Sequence, residues 1–125
     1  MTLANLEVVT LFVDDFSATR QFYERVFDAE IVYSDDVSAV FAFGGGMINL
    51  LDVNQAPELI SPAAIGGQGA RTLLTIKVED VDTECERLAS LGVSVLNGPV
   101  DRPWGRRTAA FADPSGHIWE LAQVI

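Results

Sequence analysis

Cysteine is almost missing from this chain. Cys85 stands alone among 125 residues, so no internal disulfide can form, which suits a reducing cytoplasm. Imidazole is equally scarce, because His117 is the single histidine, and no motif builds a Ser–His–acid or Cys–His arrangement around it. Cations are few as well: eight Lys and Arg face eighteen Asp and Glu, for a net charge of −10. That balance excludes a nucleic-acid partner, since phosphate backbones need Lys and Arg opposite them. No apolar run approaches the roughly 18 residues that a membrane span takes. The opening "MTLANLEVVTLFVDD" lacks the basic start and unbroken apolar core of a signal peptide. These absences predict a cytoplasmic protein with no nucleic-acid and no membrane partner.

What is present is an ordinary globular composition, 49% hydrophobic, at a length that fits a single domain over 1–125. The charge is uneven. Residues 1–60 carry ten acids against Arg20 and Arg25, whereas 61–125 carry eight acids against six bases. An acidic surface is the plainer meaning, and an acidic groove for a cationic ligand the sharper one. Strand-like alternation in "LEVVTLFV" leads into a helical "DDFSATRQFYERVF", where Asp14, Asp15 and Ser17 offer capping groups. The strands "EIVYS", "SAVFAF" and "MINLLDV" follow, punctuated by Asp35-Asp36 and Gly44-Gly45-Gly46. The second half replays the order: strand "TLLTIKV", helix "EDVDTECERLASLG", then strands "VSVLN", "RRTAAFA" and "HIWELAQV", with "DPSG" as the last turn. An offset of 65 lays Val13 on Val78, Asp14 on Glu79 and Asp15 on Asp80. Each half therefore reads as a βαβββ module, the first over 1–53 and the second over 71–125. The Pro-, Gly- and Ala-rich 54–70 between them reads as a flexible connector or lid.

With that repeat, the motifs "LFVDDFSATRQFYERVF", "IKVEDVDTECERLASLGV" and "DRPWGRRTAAFADPSGHIWEL" resemble the vicinal oxygen chelate superfamily over nearly the whole chain. That group holds glyoxalase I, bleomycin resistance proteins, fosfomycin resistance enzymes and extradiol dioxygenases. The resemblance implies an α+β fold in which two βαβββ modules form a curved eight-stranded sheet around a central cavity, helices outside. It also implies a homodimer. It implies no single reaction, because one scaffold hosts isomerases, dioxygenases, transferases and binding proteins.

Metal-dependent members carry four inward-facing ligands, and the equivalent positions here are Val8, Asn49, Leu73 and Glu120. Val and Leu offer no donor, and a divalent metal needs several converging N, O or S atoms. The reading is accordingly no metal and no cofactor. His117 lies an odd number of residues from Glu120, so alternation turns it away, as an exposed turn histidine.

The face shared by Glu120 reads as largely apolar with sparse polar groups, the usual make-up of a small-molecule site. Its candidate ligand-binding residues are Phe12, Met47, Asn49, Leu73, Trp104, Arg106, Arg107 and Glu120. Glu120 is also the candidate catalytic residue, with Lys77 a partner for its charge. Trp104 can stack a ligand, and one of Arg106 and Arg107 must face inward, which alternation alone leaves open. Phe22 and Tyr23 read as core, and Cys85 as a small buried hydrophobe. The leading expectation is metal-independent binding and sequestration of a small molecule, similar to bleomycin resistance proteins. The alternative is a glyoxalase- or dioxygenase-like enzyme that uses Glu120 as acid or base, or a metal site outside these positions.

Overall fold

The computed structural model describes residues 3–67 and 69–125, and the chain divides after Gly67 into two compact units. The division falls inside the expected connector, in a chain whose sequence reads as one domain; Gln68 of that connector lies outside the described residues. In the first unit β1 (Val8–Val13) leads into α1 (Phe16–Val26), and β2 (Ile31–Ser34), β3 (Ser38–Phe43) and β4 (Gly46–Asp52) follow. The sheet order is β1-β4-β3-β2, with β1 parallel to β4 and the other pairs antiparallel. α1 starts where it does because the Asp15 carboxylate accepts from the Ala18 amide at 3.1 Å, satisfying a first-turn donor. Thr19, Phe22, Tyr23 and Val26 recur at helical spacing and are buried. Tyr23 meets Phe41 of the sheet at a ring separation of 5.8 Å, and the alternate residues Leu11 and Val13 of β1 are buried too. Phe22 and Tyr23 are thus core.

The stretch read as a connector is partly helical. A 3-10 turn over Val53–Gln55 runs into α2 (Ala56–Ile60), started by the Asp52 carboxylate accepting from the Asn54 amide at 2.9 Å. Pro57 suits the first helical turn, where its missing amide hydrogen leaves no bond unmade.

The second unit repeats the first: β5 (Leu73–Lys77), α3 (Val81–Ser90), β6 (Val95–Arg102), β7 (Arg106–Ala112) and β8 (Ile118–Val124), in sheet order β5-β8-β7-β6. Asp80 caps α3 through the Thr83 amide at 3.1 Å, as Asp15 caps α1. The architecture is α+β with two βαβββ modules, and hydrogen bonding gives two four-stranded sheets rather than one continuous eight-stranded one. β6 is longer than the sequence suggests. It passes through Gly98-Pro99 to Arg102, with its register to β7 broken between Asn97 and Val100. No helix among the described residues is long and apolar enough to cross a membrane.

The β2–β3 turn is fastened by Asp35. Its carboxylate accepts from the Val37 and Ser38 amides at 2.9 and 2.8 Å and from the Ser38 hydroxyl at 2.9 Å. The Tyr33 hydroxyl donates to its other oxygen at 2.8 Å. These donors, the Val37 amide foremost, favour the charged form and lower the Asp35 pKa to about 2. A carboxylate depressed in the folded state contributes stability above its unfolded pKa and loses it as pH falls toward the folded one. Asp35→Ala should therefore be less stable than the parent at neutral pH. The gap should shrink between about pH 5 and about pH 2, as read from urea denaturation at stepped pH. A gap constant over that range would show that the carboxylate's charge is immaterial to the turn.

Candidate functional site

Strand register assembles the site face of the second unit. Thr75 pairs with Glu120 and Glu120 with Ala110, while Leu73, Ile118 and Ala112 form the row on one side. Lys77, Ala122, Thr108 and Val100 form the row on the other side, and Val124, Arg106 and Arg102 the row beyond it. Paired residues share a face and neighbours along a strand alternate, so all these side chains project one way. The opposite face meets α3: Gln123 accepts from the Val81 amide at 2.9 Å, and Trp119 and Leu121 are buried.

Within this face the Thr75 hydroxyl donates to Glu120 Oε1 at 3.0 Å. The donor that meets Glu120 is therefore Thr75, and not Lys77 as the sequence suggests. The first unit holds the equivalent pair. Thr10 and Asn49 are register partners, and Asn49 Nδ2 donates to Thr10 Oγ1 at 3.3 Å. Val8 and Met47 form the adjoining row, and Phe12 and Leu51 the one beyond. Asn49 Oδ1 is buried and has no hydrogen-bond partner among the described residues, which leaves an acceptor unsatisfied on that face. Each module thus carries a threonine on its first strand bonded to a polar residue on its last.

Of the anticipated residues, the register places Phe12, Met47 and Asn49 on the face of the first unit, and Leu73, Arg106 and Glu120 on that of the second. Leu73 is 53% exposed. Trp104 sits in the β6–β7 turn and is 68% exposed. Arg107 leaves the candidate set, because it pairs with Gln123 on the helix side. Its guanidinium grips both Asp82 oxygens at 3.1 and 3.0 Å and Asp101 at 3.0 Å. His117 is half-buried rather than exposed, with Nδ1 3.1 Å from Asp113. Cys85 is half-buried too, and desolvation, ahead of the nearby Asp82 charge, pushes its thiol pKa up. Alternation puts Thr10 and Thr75, which recur at the offset of 65, on the same rows as the candidates, but sequence reasoning did not single them out or foresee their bonds to Asn49 and Glu120. It also missed Arg102, whose Nε donates to Thr108 at 3.0 Å and whose Nη2 donates to Asn97 at 2.6 Å.

Comparison with known proteins follows the same lines. The model of the Glyoxalase/Bleomycin resistance protein/Dioxygenase superfamily matches residues 5–121. The metallothiol transferase FosB of Bacillus licheniformis is 32% identical over 109 residues, covering 87% of this chain and 68% of that protein. The fosfomycin resistance protein FosX of Listeria innocua is 27% identical over 126 residues, covering 95% and 89%. The crystal structure of TnmS3, an antibiotic binding protein from Streptomyces sp. CB03234, superimposes with a TM-score of 0.77 at 26% identity, covering 100% and 99%.

These relatives correct the expectation of no cofactor and no divalent metal. Proteins 32% and 25% identical to this chain are named metallothiol transferases, so metal chemistry runs through this part of the family. Among the described residues the donors do not by themselves complete a ligand set. Val8 and Leu73 supply none, and no group of three or more His, Cys, Asp or Glu converges among the described residues. What the side chains do offer is a fixed carboxylate beside apolar residues on the second unit and, separately, a fixed amide on the first.

Proposed function

Because the chain belongs to the glyoxalase/bleomycin resistance protein/dioxygenase superfamily, we propose that it binds an antibiotic-like small molecule and sequesters it. The ligand is seated on the Thr75–Glu120 face of the second unit. The observation that carries this reading is the Thr75–Glu120 hydrogen bond set among Leu73, Ile118, Ala110 and Ala112. The threonine takes one carboxylate oxygen and fixes the rotamer, so the remaining lone pairs are aimed before the ligand arrives. The apolar neighbours supply contact area, and the carboxylate selects a hydrogen-bond donor or a cation. TnmS3 and FosX support the antibiotic class by their names. A homodimer belongs to the same reading, with exposed Leu73 and Leu96 as apolar surface for it.

Glu120→Gln keeps the shape and the Thr75 contact but removes the charge. Ligand affinity should fall at least tenfold, about 1.4 kcal/mol, while the melting temperature stays nearly unchanged. Calorimetric titration against a panel of antibiotics, with and without added divalent cation, reads the first quantity. An unaltered affinity removes Glu120 from the site.

A second reading is favoured by the similarity to FosB: a transferase in which Glu120 takes up or releases a proton at the bound substrate. Incubation with fosfomycin, a low-molecular-weight thiol and a divalent cation separates the two readings. A covalent adduct in the product mixture supports transfer, and recovery of unmodified ligand supports sequestration.

A further inference from the structure

Two arginines on the site face have no ion pair among the described residues. Arg102 and Arg106 are register partners across the β6–β7 hairpin, and both are half-buried. Like charges opposite one another on a sheet face repel, and a chain of net charge −10 has ample carboxylates to relieve them. Yet neither arginine has an ion pair among the salt bridges of the described residues, where Asp82 and Asp101 both serve Arg107. Among the described residues Arg102 is held by neutral groups, the Thr108 hydroxyl at 3.0 Å and the Asn97 amide oxygen at 2.6 Å. Such partners orient a guanidinium without neutralising it. Thr108 is itself buried, so the support is rigid. Glu120 forms no ion pair with either arginine among the described residues. A planar fork left oriented, partly desolvated and uncompensated is suited to an oxyanion with two or more oxygens.

We propose that Arg102 and Arg106 form an oxyanion-recognition subsite, so that the small molecule taken by this face carries a carboxylate or a phosphonate. This rests on the small-molecule reading of the Glu120 face and narrows its ligand class. It also settles the sign of that ligand: an anionic group at the hairpin end, and a hydrogen-bond donor toward Glu120. Arg106 is the recognition residue with free donors, and Arg102 the one that is pre-positioned.

The test uses three matched probes on the full-length protein: 2-naphthoate, 2-naphthylphosphonate and the neutral 2-naphthamide. Calorimetric titration should show at least one acid binding ten times or more tighter than the amide, with the advantage falling as salt is raised. The tighter acid identifies the oxyanion. In Arg106→Gln the advantage should shrink below about threefold, while the melting temperature stays as in the parent. Equal binding of acids and amide by the parent overturns the subsite and leaves the small-molecule reading standing. An equal loss for all three probes in Arg106→Gln also overturns it, because it marks a general structural role. Absence of binding by any probe overturns both.

Discussion

Gly98→Ala should lower the stability of the protein by about 3 kcal/mol or more, about 10 °C in melting temperature for a chain of this size. Gly98 has φ +84°, where an L side chain is strained, and a Cβ built there lies 2.3 Å from the Thr108 carbonyl oxygen. The Ala109 Cα and Thr108 carbonyl carbon are at 3.1 and 3.2 Å. All three are backbone atoms of β7, which is paired on both sides, so no side chain can swing away to make room. Relief must come from separating β6 from β7 at the break between Asn97 and Val100. That movement also undoes the Arg102 contacts to Thr108 and Asn97, so anion preference should go with stability. Gly45→Ala is the control, since nothing lies within 4 Å of its Cβ position, and it should stay within about 0.5 kcal/mol of the parent. Urea denaturation of the two variants decides the matter, and near-equal midpoints would sink it.

The same glycine explains where the sequence was hard to read. Gly98-Pro99 is breaker chemistry, so β6 seemed to end at Asn97, whereas the strand absorbs the pair as an irregularity and resumes. The α2 helix escaped for a related reason, because its five residues are too few for periodicity to stand out among Pro and Gly. Duplication, by contrast, shows twice in one sequence: Asp15 and Asp80 cap their helices at the offset of 65, and both do so through the amide three residues on.

The resemblance singled out Asn49 and Glu120, and alternation could assign each to a face of its sheet because a face needs only the period of two. It could not yield the Thr10–Asn49 and Thr75–Glu120 bonds, which join residues 39 and 45 positions apart and depend on parallel register. Nor could it choose between Arg106 and Arg107, since the phase of β7 is set by its pairing with Val124 and Gln123. The metal question was open to neither alternation nor spacing. Ligand chemistry read along one chain describes the donors present there, while the relatives describe what the family binds.

Asp113→Ala should cost about 3 kcal/mol and weaken ligand binding as well. Asp113 is buried, and its Oδ1 accepts from the Ser115 and His117 amides at 2.9 and 3.0 Å, while Oδ2 lies 3.1 Å from His117 Nδ1. Alanine leaves two amide donors of a tight turn without their acceptor, and each unmet donor costs about 1–3 kcal/mol. Asp113→Asn keeps the Oδ1 acceptor and changes only the atom beside the imidazole, so its loss should be nearer 1 kcal/mol. His117→Ala probes that ring contact from the other side and should resemble the asparagine variant rather than the alanine one. The turn delivers the chain into β8 one residue before Ile118 and three before Glu120, so a loosened turn lets the carboxylate drift from Thr75. Binding by Asp113→Ala should accordingly fall severalfold at temperatures well below its melting point, with Asp113→Asn close to the parent. If the alanine variant melts with the parent, the turn is held by its backbone alone. The ordering of the three variants then separates the two jobs in "DPSGH": the aspartate shapes the turn, and the histidine braces the aspartate.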